Sequence, residues 1–280
     1  MTEKNTIIGI CTWTLGIKDL NTMMKKISDL GLNGVQYCEH PNDHSPAKVI
    51  KSADKYGLNI ILYDPFDCGP GIRNGDATKE NAIRFYRTVI DFAAELKVGA
   101  TLQGLSSWTH NCETRAEGRE QLVTCVSELA AYAKDKNVDL YYEPINLYET
   151  PFIRTADDFE KLIKDADCPD INILLDSFHM NIGEKCPLTT LGKYASKSTV
   201  FHISDSNRQG MGLGHIDFEQ YYGILKKEGF NGSIVFEFVL ETNAVNIAPQ
   251  NATETHALDQ QIQHSLSLWR TFEDNKGTII

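Results

Sequence analysis

Long apolar runs are missing from this sequence. None approaches the roughly 18 residues that a membrane helix needs, so no membrane partner is expected. The opening M-T-E-K-N-T lacks both the apolar stretch of a signal peptide and an Arg-rich transit pattern. Positive charge is scarce: 27 basic residues stand against 38 acidic ones, for a net charge of −11. That balance argues against nucleic acid, an extended phosphate backbone, as a partner, though it leaves a small sugar phosphate open. No C-x-x-C pair occurs among the seven cysteines at 11, 38, 68, 112, 125, 168 and 186. An odd set without paired spacing speaks against a disulfide framework and reads as reduced thiols in a cytoplasmic protein. Cys11 and Cys38 fall inside predicted strands, where a free cysteine packs as a small hydrophobe. No linker, charge run or low-complexity segment divides the chain, so residues 1–280 are expected to form a single domain.

What the sequence does contain is a repeating alternation of short, mostly apolar runs and amphipathic stretches. The runs are Ile7–Thr12, Gly34–Cys38, Leu58–Tyr63, Gly99–Gln103, Val138–Tyr142, Ile171–Leu175, Thr199–Ile203 and Gly232–Phe238. Such runs read as strands buried on both faces of a parallel sheet. Between them, helices are predicted over 21–30, 46–56, 78–97, 114–136, 155–164, 217–228 and 257–272, with a short helix or turn over 187–194. Their apolar stripes recur at helical spacing, as in Tyr86, Val89, Ile90, Ala93 and Leu96. Ser45 and Thr155 are placed as N-caps, and Gly31, Gly57 and Gly229 as stops. The glycine- and proline-rich stretch over 64–76 is an irregular loop. Eight β-α units in one α/β chain of this length predict a closed (β/α)8 TIM barrel, whose chemistry lies on the C-terminal strand ends.

Four predicted strands end on groups that are costly to bury without compensation. The fifth runs into Glu143, the sixth into Asp176, the seventh into His202 and the eighth into Glu237. Taken singly, Glu143 reads as a surface residue at a strand edge and His202 as a core histidine. Apolar neighbours on both sides of Glu237 leave it either paired or a ligand. Together the four form a cage for a divalent cation. Three carboxylates and one imidazole without a thiolate favour Mn²⁺, Mg²⁺ or Co²⁺ over structural zinc, with positions left for substrate oxygens. Arg208 stands in the glycine-rich loop after the seventh strand, which reads as a solvated loop, part of the site or a weak phosphate cradle. Trp13 and Trp108 either wall the pocket or pack at the rim. His40, His44, His110 and His256 are expected at the surface.

Four segments resemble the D-tagatose 3-epimerase and D-psicose 3-epimerase family of ketose 3-epimerases, within the xylose isomerase-like barrel superfamily. They are E-P-I-N-L-Y-E-T at 143–150, L-D-S-F-H-M-N at 175–181, H-I-S-D-S-N-R at 202–208 and G-L-G-H-I-D-F at 212–218, with Glu237 following. The motifs lie in the second half of the chain, and the match weakens before residue 100; Phe218 stands where relatives often carry Trp. The resemblance implies that Glu143, Asp176, His202 and Glu237 bind a divalent metal, usually manganese, cobalt or magnesium. It implies that Glu143 and Glu237 also act as the acid/base pair. It implies that Glu149, His179 and Arg208 contact the reacting end of a ketose, and that the chain is a homo-oligomer, a dimer or tetramer. The expected reaction is removal and return of the C3 proton through an enediolate. The alternative is a 1,2 aldose–ketose isomerase, such as one acting on hydroxypyruvate. More remote are a metal-dependent phosphodiesterase of the AP endonuclease type and a non-catalytic sugar-binding barrel.

Overall fold

Mostly apolar strands alternating with one-sided helices can bury both strand faces only if the helices surround the sheet. A computed structural model, describing residues 6–71, 75–243 and 247–274, has that architecture, a parallel (β/α)8 barrel. Its strands are β1 (Ile8–Ile10), β2 (Gly34–Tyr37), β3 (Asn59–Tyr63), β4 (Gly99–Thr101), β5 (Leu140–Tyr142), β6 (Asn172–Ile173), β7 (Leu175–Asp176), β8 (Val200–Ile203) and β9 (Ser233–Phe236). The expectation for residues 1–5, and part of the 64–76 loop, lie outside the described residues.

The predicted sixth strand is divided. Its first half, β6, pairs with β5, and its second half, β7, pairs with β8. Leu174 is the pivot: its N–H still donates to Tyr142 O at 3.0 Å, while Leu175 already lies opposite Phe201. The ring therefore consists of two hydrogen-bonded sheets, β2-β3-β4-β5-β6 and β7-β8-β9-β1. The second seam, between β1 and β2, carries the isolated bridge Cys11↔Gln36. Asn33 ties its lower end, with Oδ1 accepting from Ile8 N at 2.7 Å and its own N–H donating to Ile8 O at 3.1 Å. The strands also approach closely through Gly9 and Gly34, where a Cβ on Gly9 would meet the Gly34 carbonyl carbon at 2.7 Å.

Around the barrel run α1 (Leu20–Asp29), α2 (Pro46–Lys55), α3 (Lys79–Leu96), α4 (Arg115–Lys136), α5 (Ala156–Asp165), α6 (Ser177–Gly183), α7 (Pro187–Tyr194), α8 (Phe218–Lys227) and α9 (Ala252–Asp274). Their inner stripes are the expected ones: Met23, Met24 and Ile27 on α1, Val89, Ile90 and Ala93 on α3, and Leu122, Val126 and Leu129 on α4 are buried. The start of α4 is closed by a reciprocal capping box between Thr114 and Glu117. Thr155 caps α5 by accepting from Asp158 N, with Asp157 and Asp158 facing the positive end of the helix dipole. Ser45 precedes α2 without a side-chain capping bond; Pro46 at the first position starts that helix instead.

Several boundaries move. Helix α9 begins five residues before the predicted start, and α6 was not expected at all. Two 3₁₀ segments, Thr12–Leu15 and Gln103–Thr109, replace loops after β1 and β4. Cys11 and Cys38 stand one residue beyond β1 and β2 rather than inside them, and both are buried. All seven cysteines are free thiols.

The glycine seam gives a stability test. Gly9→Ala should lower the urea midpoint by an amount equivalent to about 1–3 kcal/mol, because the methyl would press on the Ile61 side chain at 2.6 Å and on rigid backbone. Gly192→Ala, in α7, meets only Ile224 at 3.8 Å and should be neutral or stabilising by up to about 1 kcal/mol.

Candidate metal and substrate site

The four charged strand ends converge at one mouth of the barrel. Glu143 follows β5 directly, Asp176 ends β7, His202 lies within β8 and Glu237 follows β9. All four are buried, and one ligand-capable atom from each lies within 4.8 Å of the others. His202 Nδ1 is the centre: it lies 3.1 Å from Glu237 Oε2, 3.4 Å from Glu143 Oε1 and 4.0 Å from Asp176 Oδ2.

Asp176 serves two purposes. Its Oδ1 caps α6, accepting from Phe178 N at 2.6 Å and His179 N at 3.2 Å. Its Oδ2 faces the cluster and accepts from Arg208 Nη1 at 2.7 Å. Arg208 also pairs with Glu237 through Nη2 at 3.0 Å, and its guanidinium lies over the Phe178 ring at 4.9 Å. The arginine is therefore a buried member of the site, not a solvated loop residue. Its backbone has φ of +65° and its carbonyl accepts from Val239 N at 2.8 Å, which locks the loop to the β9 exit.

That loop is organised by Asp205, a residue the sequence motifs contained but did not single out. The fully buried Asp205 carboxylate accepts from Ser206 N at 2.7 Å, Gly212 N at 2.9 Å and Ile216 N at 3.0 Å. Ser177 Oγ donates to Ser204 O at 2.7 Å and accepts from Ser204 N at 3.0 Å, pinning the ends of β7 and β8 together.

His179, on α6, is buried with Nε2 at 3.9 Å from Glu143 Oε1. Asn146 Nδ2 sits 2.8 Å from His179 Nδ1 and 2.8 Å from Glu149 Oε1. Glu149 itself is exposed and is linked to the site by its hydrogen bond from Asn146. Trp13 belongs to the site: its Nε1 donates to Glu237 Oε1 at 3.0 Å and its ring stacks on Phe66 at 4.4 Å. Trp108 instead packs against Phe85. Beside Trp13 opens a cavity of about 370 Å³, lined also by Glu39, His40, Phe66 and Cys68. Of the histidines expected at the surface, His110 and His256 are exposed. His40 and His44 are half-buried, with His44 Nδ1 bonded to Tyr37 OH at 2.9 Å. Phe218 is buried and packs on Tyr221.

Proton affinities in the cluster are driven apart. Burial pushes Glu143 up to about 8 against the pull of His202. At Glu237 burial acts the same way, but Arg208 and His202 outweigh it and hold the carboxyl well below the usual range. Burial also opposes charge on His202, yet Glu143 and Glu237 raise the ring well above its ordinary value. His179 is lowered by burial. Glu143 Oε1 is buried without a hydrogen-bond partner. Such an orphaned oxygen, in a cluster of three carboxylates with one guanidinium, fits a bound divalent cation. Glu143, Asp176, His202 and Glu237 could hold one.

The sequence model of one family, described as a xylose isomerase-like TIM barrel, matches residues 24–269, so the likeness extends well before residue 100. L-ribulose 3-epimerase of Methylomonas sp. (strain DH-1) is 27% identical over 154 residues, 55% of this chain and 49% of that protein. The chain thus spans about half the length of this curated relative. D-psicose 3-epimerase of Ruminiclostridium cellulolyticum is 28% identical over 264 residues, 87% of this chain and 82% of the relative. Among solved structures, D-psicose 3-epimerase with D-tagatose from Clostridium cellulolyticum H10 superimposes with a TM-score of 0.78 at 22% identity, covering 95% of this chain and 98% of that one.

If the cluster takes up a cation, the proton on His202 Nδ1, the nitrogen that faces the carboxylates, must leave. Titrating metal-free protein with Mn²⁺ at pH 7 should release about one proton per ion bound, read by calorimetry in buffers of different ionisation enthalpy. Affinity should fall as the pH is lowered; uptake with no proton released would contradict the proton assignment.

Proposed function

The chain belongs to the xylose isomerase-like TIM-barrel family, and from that premise we propose that it is a metal-dependent ketose 3-epimerase acting on a free ketose. The observation that carries the reading is the pair Glu143 and Glu237. They approach from β5 and β9, face the same His202 nitrogen at 3.4 and 3.1 Å, and are pushed toward opposite protonation states. Inverting a carbon centre needs a base on one face and an acid on the other, and two carboxylates with separated proton affinities supply them.

In this reading Glu143, Asp176, His202 and Glu237 hold the metal, with Mn²⁺ preferred and Co²⁺ or Mg²⁺ possible substitutes. When bound, the cation supplies electrostatic stabilisation for negative charge developing on the substrate oxygens. The ionised Glu237 takes the C3 proton of one epimer, and the protonated Glu143 returns one from the opposite side. For the other epimer the roles exchange. Trp13 Nε1, donating to Glu237 Oε1, holds that carboxylate in place. His179 and Arg208 hold substrate oxygens at the reacting end, and Glu149 does so from the rim through its link to Asn146. The walls around the cluster exclude water from the charged intermediate.

A free ketose is favoured over a ketose phosphate by the Asp205 loop. The amides of Ser206, Gly212 and Ile216, which a phosphate cradle would offer, are already consumed by the Asp205 carboxylate. The family assignment and the two curated epimerase relatives support the substrate class. The reading takes residues 1–280 as one domain that assembles as a homo-oligomer. The free thiols support a reducing, cytoplasmic location; among the described residues no helix is long and apolar enough to cross a membrane.

Incubation of the Mn²⁺-loaded protein with fructose, psicose, tagatose, ribulose and xylulose in D₂O should place deuterium at C3 with inversion of that centre, read by NMR. Label at C1 or C2 would instead assign a 1,2 isomerase. Glu143→Gln and Glu237→Gln should each lower turnover by at least about 10²–10⁴-fold, while retaining the fold. Full activity in either variant would remove that residue from the acid/base pair.

A further inference from the structure

One chain of buried polar groups has no part in the chemistry above. It begins at His202 Nε2, the ring nitrogen turned away from the carboxylates, which lies 2.9 Å from Gln36 Oε1. Gln36 Nε2 lies 3.0 Å from Asp64 Oδ2. Asp64 Oδ1 accepts in turn from Thr101 Oγ1 and from Gln103 Nε2, the latter at 2.9 Å. Gln36 is in β2, Asp64 follows β3, Thr101 ends β4 and Gln103 lies just beyond it. All four are buried, so the row crosses the barrel interior from β8 to β4.

The direction of this row follows from its far end. Donors from three side chains converge on the two oxygens of Asp64, so Asp64 presents an acceptor to Gln36. Only the NH₂ end of the Gln36 amide satisfies that acceptor, which turns Oε1 toward His202. An acceptor 2.9 Å from Nε2 requires the proton on that nitrogen. When the ring carries a single proton, Nδ1 then holds the lone pair. Nδ1 is the atom that faces Glu143, Asp176 and Glu237.

We propose that Gln36 and Asp64 are positioning residues that fix His202 in the tautomer whose Nδ1 is free to ligate a divalent cation. The inference rests on the metal-centre reading above. Groups of this kind behind a ligating histidine set both its tautomer and its orientation. The unusual element is that Gln36 relays the preference of a carboxylate it separates from the ring. The relay can therefore be reversed at Asp64, without touching any ligand. In Asp64→Asn, the new amide keeps its oxygen toward Thr101 and Gln103 and turns its NH₂ toward Gln36. Gln36 then rotates, offers its own NH₂ to His202 Nε2, and drives the proton to Nδ1. Gln36→Met, of similar shape, removes the preference without reversing it.

Mn²⁺ binding is measured by the electron paramagnetic resonance of the free ion for wild type, Asp64→Asn and Gln36→Met, with circular dichroism of each metal-free protein. The ¹⁵N imidazole spectrum of Mg²⁺-loaded wild type is recorded alongside. The wild-type spectrum should show the His202 proton on Nε2. Asp64→Asn should bind Mn²⁺ about 10–100-fold more weakly, and Gln36→Met should lose less. A wild-type proton on Nδ1 overturns the proposal, as does equal Mn²⁺ binding by all three proteins. Should Asp64→Asn fail to fold, Gln36→Met and the wild-type spectrum decide. A wild-type protein that binds neither ion overturns the metal-centre reading, and this proposal with it.

Discussion

Three carboxylates held within 4.0 Å of one imidazole nitrogen repel one another, and most of the polar structure at the barrel mouth answers that repulsion. Arg208 spans Asp176 and Glu237 with its two terminal nitrogens. Trp13 donates to the remaining oxygen of Glu237, and the first amides of α6 take up the remaining oxygen of Asp176. Glu143 is opposed only by the His202 ring it shares with Glu237, and its Oε1 stays without a hydrogen bond. The imbalance singles out Glu143 as the carboxyl that keeps a proton in the metal-free protein. It is the same asymmetry that an acid/base pair requires.

Holding this cluster together depends on rigid supports a layer further out. The Asp205 carboxylate freezes the loop that carries Arg208, using three backbone amides that would otherwise need water. Ser177 and Ser204 fasten the strand ends bearing Asp176 and His202. Behind His202, Gln36 and Asp64 supply the buried ring with the only kind of partner its outer nitrogen can use when protonated. Each support is polar, buried and bonded at both ends, which is the condition under which such groups rigidify a core.

Much of this arrangement is legible in the sequence because buried parallel strands announce themselves as short, mostly apolar runs. A charge that ends such a run marks the mouth of the barrel, which located Glu143, Asp176, His202 and Glu237 together. Helix stripes and glycine stops gave the outer ring to within a few residues. Helix α6 is hidden because its N-cap, Asp176, also reads as a strand-end ligand, and one residue holds both positions. The break at Leu174 left no mark, since I-N-I-L-L-D contains neither Gly nor Pro. Gln36 read as an ordinary residue of G-V-Q-Y, and Asp64 as the start of a loop. Their significance comes from partners far along the chain, 166 residues away in the case of Gln36 and His202. Trp13 and Glu237, 224 residues apart, are legible only in three dimensions for the same reason.

The division of the barrel into two sheets has a mechanical meaning. Asp176, His202 and Glu237 ride on the sheet β7-β8-β9-β1, whereas Glu143 rides on the other. Three of the four groups therefore share one hydrogen-bonded sheet, and Glu143, half of the proposed acid/base pair, reaches the cluster from across the seam. Gln36 and Asp64 belong to the half-barrel of Glu143 yet grip His202 on the opposite half. The row of amide and carboxylate inside the barrel is therefore also a cross-tie, joining the two half-barrels through the interior.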